Sequence, residues 1–311
     1  MRVLLTGASS FTGSWFAREL VAAGHDVTAV FQGTQDSYGG LRGRRIASLL
    51  AGVEPVWTCS FGSPRFLDVV RSAAWDLLCH HAAEMTDYRS PDFDWLAASR
   101  ANTLNARPVL EAFASGGGRG IVLTGSVFEP YEGVGDPEQR AFSPYGLSKH
   151  VSFEAFRLEA RRVGLAVGKF VIPNPFGPDE EPRFTSYLAR EWAAGKIPAV
   201  ATPLYVRDNI HVSLLAGAYR QFCQSLPAGT GLTRCSPSGH VESQGAFAWR
   251  CARELGTRTG RQLDLVLNEQ TDFAEPMTRI NPGSAARDVA GWSERAAWDA
   301  VAVYYREAFG L

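Results

Sequence analysis

A regular alternation of short apolar runs with helical stretches constrains the fold of this chain more than any other feature. The runs that read as strands are Arg2–Leu5, Asp26–Phe31, Val53–Trp57, Leu77–Cys79, Gly120–Leu123 and Ala166–Ile172. Segments with helical spacing lie between them, near residues 12–23, 64–73, 91–115 and 144–163. Strands that alternate with helices form a parallel sheet with helices on both faces. We therefore expect an α/β fold built on a doubly wound parallel sheet.

A glycine-bearing loop joins the first predicted strand to the first predicted helix. It reads Thr6-Gly7-Ala8-Ser9-Ser10-Phe11-Thr12-Gly13. Such a loop lets backbone N–H groups and the positive end of the helix dipole face a pyrophosphate, because its glycines permit close approach. Ser10 stands where a middle glycine is expected, and its hydroxyl can hydrogen-bond a phosphate. The alternative is an ordinary strand-to-helix turn.

Tyr145 and Lys149 lie four residues apart in a predicted helix. Four residues make just over one helical turn, so the phenol and the ammonium group can point into the same cleft. A neighbouring cation lowers the pKa of a tyrosine from about 10 toward the range that general acid–base catalysis needs. Taken alone, the pair also fits an ordinary surface contact.

Composition and charge argue against several classes of protein. The 311 residues include 31 basic and 32 acidic ones, and a net charge of −1 gives no field that would attract nucleic acid or an anionic membrane. The five cysteines are scattered and form no C-x-x-C pair, which argues against a disulfide framework and a metal site. No apolar run approaches the ~20 residues of a membrane-spanning helix. We expect a cytoplasmic protein.

The second half of the chain predicts a smaller lobe. A segment rich in Pro and Gly at 173–178 interrupts the alternation. A helix at 182–195, a short strand and a helix near 203–224, and mixed segments follow it. We predict a dinucleotide-binding Rossmann domain at 1–173. Residues 174–311 would form mainly a substrate-binding lobe, with some segments returning to the Rossmann core.

Six motifs occur in a fixed order along the chain. They are the loop from Thr6 to Gly13, His80-His81-Ala82-Ala83, Leu123-Thr124-Gly125-Ser126, the Tyr145 and Lys149 pair, Asn174-Pro175-Phe176-Gly177-Pro178, and Val206-Arg207-Asp208-Asn209-Ile210-His211-Val212. Together they resemble the extended short-chain dehydrogenase/reductase family, the NAD-dependent epimerases, dehydratases and reductases that modify nucleotide sugars. The resemblance runs over nearly the whole chain.

The resemblance implies a proton relay of three residues. Tyr145 would exchange a proton with the substrate oxygen while hydride moves between the reacting carbon and nicotinamide carbon 4. Lys149 would depress the tyrosine pKa and bind the nicotinamide ribose. Ser126 would hydrogen-bond the same substrate oxygen, although a plain hydroxyl at a strand end would look the same.

The resemblance also implies the residues that bind the cofactor and the substrate. The cofactor set is Gly7, Ser9, Ser10, Phe11, Thr12, Gly13, Gln32, Arg42, Ser60, Phe61, His80, Ala82, Ala83, Asn102, Tyr145, Lys149 and Ile172. The substrate set is Glu84, Thr86, Ser126, Asn174 and Arg207. Asn174 and Arg207 would meet the substrate diphosphate, for which arginine offers a fork of donors. A surface pairing of Arg207 with Asp208 is the alternative.

The end of the second predicted strand bears on the choice of cofactor. An NAD site usually carries an acid there for the ribose 2′-hydroxyl, and this chain has Gln32. Arg42, Arg44 and Arg45 follow and could approach a 2′-phosphate, which favours NADP over NAD. The same arginines could equally begin a solvated helix. Ser60 and Phe61 replace the family's acid–hydrophobic pair at adenine, which predicts an altered adenine pocket.

The residues after Ser126 narrow the reaction. Family dehydratases place an Asp-Glu pair there, whereas this chain has Val127 and Phe128. Glu129 comes one position later and would point away if the segment were extended. The reactive cysteine of fucose-type epimerase-reductases would fall at Phe128. Reduction of a 4-keto sugar nucleotide is therefore favoured, with a 4-epimerase that retains NAD as the alternative and a non-catalytic dinucleotide sensor as a third.

The helix that carries Tyr145 also bears on assembly. Its apolar residues Val151, Phe153, Phe156 and Leu158 spread over more than one face, as packing against both a sheet and a partner would require. Family resemblance suggests a homodimer through this helix and the long helix before it. A broadly buried helix in a monomer would show the same pattern.

Overall fold

The alternation in the sequence forms a single parallel sheet. The computed structural model describes residues 1–135, 138–283 and 289–311, and elements are numbered here in chain order. Within those residues the sheet has seven strands. They are β1 (Arg2–Thr6), β2 (Asp26–Val30), β3 (Val53–Val56), β4 (Leu77–His80), β5 (Gly120–Ser126), β6 (Ala166–Ile172) and β10 (Gly231–Cys235). The expected doubly wound α/β fold is confirmed.

The strand order reverses beside β1. The order is β3-β2-β1-β4-β5-β6-β10, and every neighbouring pair is parallel. The chain builds outward from β1 to β3 and then returns to β4 on the other side of β1, where Thr6 pairs with His80. Open α/β sheets bind ligands in the crevice outside the carboxyl ends of strands at such a reversal. The strand order therefore predicts a ligand site at the loops after β1, β4 and β5.

Helices cover the sheet and enclose its core. They are α1 (Phe11–Ala22), α2 (Gly40–Ala47), α3 (Pro64–Arg71), α4 (Trp95–Asn102), α5 (Ala106–Ser115) and α6 (Pro144–Arg162). Leu4, Leu78 and Ile121 of the central strands are fully buried in one cluster with Phe66 of α3 and Val109 of α5. Parallel strands covered on both faces are apolar along their length, which explains why these runs lack polar alternation.

The predicted helix at 91–115 is wrong in one respect, because the structure divides it into α4 and α5. Asn105 lies between them with a φ of 52°, in the left-handed region that ends a regular helix. Its side-chain Nδ2 donates to the carbonyl oxygen of Gly62 at 2.7 Å. Asn tolerates this conformation better than most residues, so the break has a local cause that apolar periodicity does not show.

Contacts between residues divide the chain into two units. The first comprises 1–132, 139–172 and 216–236 and contains the seven-stranded sheet. The second comprises 173–215 and the described part of 237–311, with a few residues near 134. Helix α8 (Val212–Ser225) crosses the boundary between these segments.

The second unit has its own small sheet and core. Strand β9 (Val206–His211) pairs with β7 (Asn174–Phe176), β11 (His240–Ser243) and β13 (Thr278–Arg279), while β8 (Ala199–Val200) pairs with β12 (Val266–Leu267). Its helices include α7 (Phe184–Ala193), α9 (Gln244–Thr259) and α10 (Glu294–Phe309). One cluster of buried side chains joins them, among them Phe176, Leu188, Phe247, Trp298 and Tyr305.

The described residues were searched for membrane-spanning helices, metal sites and disulfide bonds. Among the helices of those ranges, none combines the length and apolar character that crossing a bilayer requires. In the same part of the chain, no group of three His, Cys, Asp or Glu side chains is arranged to hold a metal ion. All five cysteines are free thiols, and Cys59, Cys79, Cys223 and Cys251 are buried.

The break at Asn105 can be tested by two substitutions. Asn105→Ala and Asn105→Gly both remove the hydrogen bond to Gly62, but only glycine adopts a positive φ without steric cost. We expect Asn105→Ala to lower the free energy of unfolding by about 1 kcal/mol more than Asn105→Gly, measured by urea denaturation. An alanine variant as stable as the glycine variant would contradict the left-handed assignment.

Candidate active site

Helix α6 presents Tyr145 and Lys149 on one face. Ser143 caps the helix, since its side-chain oxygen accepts the Gly146 N–H at 3.2 Å, and Pro144 occupies the first turn. A Cβ atom on Gly146 would collide with the carbonyl oxygen of Phe128. The glycine therefore lets the turn that carries Tyr145 lie directly against the loop after β5.

Tyr145 is enclosed by aromatic rings. Its own ring is only 8% exposed and meets Tyr88, Phe93 and Phe128 edge-to-face, at centroid distances of 5.3, 6.1 and 6.3 Å. Tyr88 and Phe93 come from the segment between β4 and α4, which sequence reasoning examined only for its polar residues. These three rings, which we call the aromatic wall, restrict the access of water to the phenol.

Ser126 ends β5 and is fixed through its backbone. It pairs in register with Ile172 of β6, and its N–H donates to Glu129 Oε1 at 2.8 Å. Its side-chain oxygen accepts the Phe128 N–H at 3.3 Å. The chain turns sharply after Ser126, so the extended geometry assumed for Glu129 is wrong. The Glu129 carboxylate folds back beneath the strand end and is 2% exposed.

Two nearby charges act on Lys149 in opposite senses. Burial lowers the pKa of its ammonium group, the negative charge of Glu129 raises that pKa, and the positive charge of Lys169 lowers it. Glu129 thus opposes the effect of burial and favours the charged amine. A charged amine is the form that would depress the pKa of the Tyr145 phenol.

Asn102 braces the loop after β4 against α6. Its Oδ1 accepts the Glu84 N–H at 2.7 Å, and its Nδ2 donates to Ser152 Oγ of α6 at 3.3 Å. Hydrogen bonds from the Thr86 hydroxyl and then from the Thr86 N–H, which lies 2.7 Å from Glu84 Oε1, lower the pKa of the Glu84 carboxyl group. The structure therefore brings Glu84, Thr86 and Asn102 together beside the helix that carries Tyr145.

Close packing of backbone atoms requires both glycines of the loop after β1. Gly7 has a φ of 80°, and a Cβ atom there would lie 2.7 Å from the Ala82 backbone nitrogen. A Cβ atom on Gly13 would collide with the carbonyl oxygen of Gly7. Ser10 caps α1, since its Oγ accepts the Gly13 N–H at 3.1 Å and donates to the Gly7 carbonyl at 2.8 Å. Ser10 therefore organises the loop at the position where a glycine was expected.

His81 reinforces this loop, although sequence reasoning assigned it no role. Its Nε2 lies 3.0 Å from Thr12 Oγ1 and 3.1 Å from Ser10 Oγ, and its Nδ1 lies 2.8 Å from Thr124 Oγ1 of β5. Burial lowers the pKa of this histidine to about 3, so the ring is neutral near pH 7. A neutral ring that joins three hydroxyl groups across two strand ends holds the loop without adding charge.

His80 is buried beside it and packs on another predicted site residue. His80 is 5% exposed, its Nδ1 lies 2.9 Å from Thr6 Oγ1, and its ring lies 4.1 Å from that of Phe61. Burial, with a smaller effect of the Lys149 charge, lowers the pKa of His80 to about 3. The hydroxyl of Thr6 also accepts the Ala82 N–H at 3.1 Å.

The candidate residues for the adenosine ribose lie between β2 and β3 in the chain. Gln32 follows β2 and is exposed, as is Arg42 on α2. Arg45 is instead fully buried, with its guanidinium 5.8 Å from the Phe11 ring. Arg42, Arg44 and Arg45 all belong to helix α2, and not to a loop. Arg42 remains a candidate for a 2′-phosphate.

The remaining substrate candidates, Asn174 and Arg207, belong to the second unit. Asn174 begins β7 and pairs in register with Asn209. The Arg207 guanidinium is 4% exposed and donates to Glu275 Oε2 at 2.6 Å and to the carbonyl oxygens of Val206, Pro276 and Met277. It lies 4.3 Å from the Tyr205 ring. Its carboxylate partner is therefore Glu275, and the Arg207 contact with a diphosphate stays a prediction.

A comparison with protein-family models identifies the family of this chain. A model of the family described as "NAD dependent epimerase/dehydratase family" matches residues 3–230. A search of curated proteins finds no significant match. Solved structures with the same fold include UDP-glucose 4-epimerase of Thermotoga maritima with UDP-glucose, at 18% identity and a TM-score of 0.74 over 99% of both chains.

Two further structures cover the full length of this fold. UDP-glucuronic acid 4-epimerase of Bacillus cereus, in complex with a fluorinated substrate analogue and NAD, is 15% identical, with a TM-score of 0.77 over 99% of this chain and 100% of that chain. The dTDP-glucose 4,6-dehydratase of Streptomyces venezuelae with NAD is 18% identical, with a TM-score of 0.74 over 100% and 98%. At these identities the likeness shows the fold.

The burial of His80 predicts how stability depends on pH. Its pKa is about 3 in the folded protein against 6.5 for an exposed histidine, so the unfolded chain takes up the proton first as pH falls. Stability should therefore decline below about pH 6.5. We expect His80→Asn to reduce the loss of unfolding free energy between about pH 7 and about pH 5 by about 2 kcal/mol.

A matched variant separates this titration from the hydrogen bond. Thr6→Val removes the partner of His80 but leaves the ring, so it should lower stability at both pH values and keep the dependence on pH. Chemical denaturation at each pH measures both effects. The prediction fails if His80→Asn and wild type lose the same unfolding free energy between the two pH values.

Proposed function

The chain belongs to the NAD dependent epimerase/dehydratase family, and we propose that it is an NAD(P)-dependent oxidoreductase that reduces a 4-keto sugar nucleotide. The observations that carry the proposal link the three residues to the glycine loop. Ser126 and Tyr145 both contact Phe128. The charge of Lys149 acts on His81, which lies within hydrogen-bond distance of Ser10 and Thr12. Family membership supports a nucleotide-activated sugar as the substrate, since two neighbours with this fold are named as 4-epimerases of such sugars.

The proposed chemistry divides between the cofactor and the protein. A bound nicotinamide dinucleotide supplies the hydride. Tyr145 donates a proton to the carbonyl oxygen of the substrate, and Ser126 Oγ hydrogen-bonds that oxygen. Lys149 lowers the pKa of the phenol through its charge. The aromatic wall limits water around Tyr145, which strengthens the electrostatic interactions on which this proton transfer depends.

The environment of Glu129 supports simple redox chemistry over dehydration. A dehydratase needs an acid and a base that reach the neighbouring sugar carbons. The Glu129 carboxylate is instead bound to the Ser126 N–H and to Lys169 beneath the strand. With Val127 and Phe128 beside the catalytic serine, this segment offers the sugar no acid–base pair. This supports a reductase or an epimerase.

A 4-epimerase with retained NAD is the second candidate. Two of the structural neighbours are 4-epimerases, which favours this reaction, and both reactions use the same proton relay. The absence of an acid at the end of β2 supports a reductase that exchanges its cofactor, because Gln32 stands there. We also propose that Asn174 and Arg207 of the second unit contact the substrate diphosphate.

Assembly as a homodimer through α6 is part of the proposal. Val151 and Leu158 of this helix are 36% and 61% exposed, whereas Phe153 and Phe156 are buried in the first unit. The helix thus has an inner and an outer apolar face, as the proposed dimer requires. Light scattering of the purified protein measures the oligomeric state.

Substitution of Tyr145 tests the proposed reaction. With a panel of 4-keto nucleotide sugars, we expect wild type to oxidise NADPH and Tyr145→Phe to lose about 100- to 10,000-fold in rate. Most of the affinity for the dinucleotide should be retained, because the substitution removes only the phenol oxygen and leaves the glycine loop and Lys149 unchanged. Fluorescence titration with NADPH measures that binding.

The alternatives give different outcomes in the same assay. Interconversion of two sugar nucleotides by protein that carries tightly bound NAD, with no net oxidation, would establish the epimerase instead. Dinucleotide binding without turnover of any sugar would indicate a sensor. Turnover that survives in Tyr145→Phe would contradict the assigned proton donor.

Cofactor preference is tested at the end of β2. Gln32→Asp introduces a negative charge that repels a 2′-phosphate and accepts hydrogen bonds from a 2′-hydroxyl. We expect its Kd for NADPH to rise about tenfold, that for NADH to fall, and Arg42→Ser to weaken NADPH alone. The exposed Arg71 of α3 provides the control, and Arg71→Ser should leave both values unchanged. If Arg42→Ser and wild type bind NADPH with the same Kd, Arg42 is excluded as a 2′-phosphate ligand.

A further inference from the structure

Three buried charges and one exposed arginine lie near the end of β5, and we call them the charge cluster (Glu129, Glu132, Lys169 and Arg234). Lys169 belongs to the buried strand β6 and is 1% exposed. Its Nζ lies 2.5 Å from Glu129 Oε2 and 2.7 Å from Glu132 Oε1. Arg234 of β10 also pairs with Glu132. The side chains of Glu129 and Glu132 are 0% and 5% exposed.

Fold stability gives little reason for this arrangement. Taking charges out of water costs several kcal/mol per ion, and apolar side chains of similar volume often serve equally well. Lys169 is charged where its neighbours in β6 are apolar, and its Nζ lies 4.0 Å from the centre of the Phe153 ring. The cluster therefore calls for a role other than filling the core.

The contacts of Glu129 reach the proposed active site directly. One carboxylate oxygen accepts the Ser126 N–H at 2.8 Å, and the other binds Lys169. Gly125 makes room for this pair. A Cβ atom there would lie 3.0 Å from Glu129 Oε1 and 2.9 Å from Lys169 Cε. The strand end that carries Ser126 thus rests on the carboxylate.

We propose that Glu129 is a positioning residue of the active site: Lys169 anchors its carboxylate beneath β5, where it fixes the Ser126 backbone and supplies the negative charge that faces Lys149. The inference rests on the proposed function for the roles of Ser126 and Lys149. It assigns no direct contact between Glu129 and the substrate.

The charges around Lys149 make a prediction of sign. Glu129 raises the pKa of Lys149, whereas burial and Lys169 lower it. His80 of β4, which Lys149 influences, is neutral near pH 7 because its own pKa is about 3. Glu132 forms ion pairs with Arg234 and with Lys169. Removing Glu129 and removing Lys169 should therefore shift Lys149 in opposite directions.

The composition of the chain makes Lys149 observable. The sequence contains three lysines, Lys149, Lys169 and Lys196, and the side chain of Lys196 is 66% exposed. Protein labelled with ¹³C and ¹⁵N in lysine alone gives a simple NMR spectrum, and Lys149→Arg assigns the Lys149 signal. We expect Glu129→Gln to lower the pKa of Lys149 by about one unit and Lys169→Met to raise it by a similar amount.

Two controls accompany this titration. Lys169→Arg keeps the cation and should leave the Lys149 pKa close to that of wild type. Glu159→Gln removes a carboxylate of the surface pair with Arg107 in the same unit and should have no effect. Lys149 shifts that are absent, or that have the same sign in Glu129→Gln and Lys169→Met, overturn the proposal.

A variant that loses both charges guards against unfolding of the single variants. Glu129→Leu combined with Lys169→Met replaces the ion pair by apolar groups, which buried sites often accept. The Ser126 N–H then lacks its acceptor. Hydrogen exchange of the peptide that covers Gly125 to Phe128 should accelerate at least about tenfold, an effect of about 1.4 kcal/mol. Unchanged exchange overturns the positioning role.

Turnover is measured separately, so the two proposals can fail independently. The alkaline limb of the pH–rate profile should move to lower pH in Glu129→Gln and to higher pH in Lys169→Met. Wild-type protein that turns over no sugar refutes the proposed function, while the NMR titration still decides the role of Glu129. Normal turnover with an unmoved titration refutes the role of Glu129 alone.

Discussion

Close backbone approach at the carboxyl ends of the central parallel strands is the constraint on which the candidate site depends. Gly7 lies against the Ala82 backbone, Gly13 against the Gly7 carbonyl, and Gly146 against the Phe128 carbonyl. Each contact leaves no space for a Cβ atom. The strand order reverses between β1 and β4, and these glycines let the loop after β1 pack against the end of β4 and helix α6 pack against the loop after β5.

Charge compensation is the second determinant of the site. Burial disfavours the charged form of Lys149, whereas the buried Glu129 carboxylate favours it. Lys169 in turn balances the charge of Glu129. The two histidines at the end of β4 stay neutral for the same reason of burial. The charges that act on Lys149 therefore come from two fixed side chains, Glu129 and Lys169.

Much of the fold follows from patterns that a sequence displays directly. The apolar runs of the parallel strands predict the sheet, and the motifs at strand ends predict which loops lie together. The break at Asn105 could not be read from apolar spacing, because a single left-handed residue produces it. The turn after Ser126 also could not be read from the sequence, because it depends on the dihedral angles of the following residues. An extended segment would have placed the Glu129 carboxylate elsewhere.

The residues missed at the site share one property, which is that their partners are distant in the chain. His81 acts through Ser10 and Thr124, and Glu129 acts through Lys169, 40 residues later. One signal was present: a lysine inside a strand that is otherwise apolar is an unusual choice, because a buried charge requires a partner. Lys169 is such a residue, and it points to the cluster even before its partners are known.

The rings of the aromatic wall lie on different segments from the elements that hold Tyr145 and Ser126. Tyr88, Phe93 and Phe128 stand on segments between regular elements, whereas Tyr145 is fixed by a capped helix and Ser126 by strand pairing. Exchanges of ring size in the wall can therefore reshape the space beside the phenol while strand register and helix placement stay unchanged. Substitutions in these loops can therefore accumulate during evolution without disturbing the elements that hold Ser126 and Tyr145.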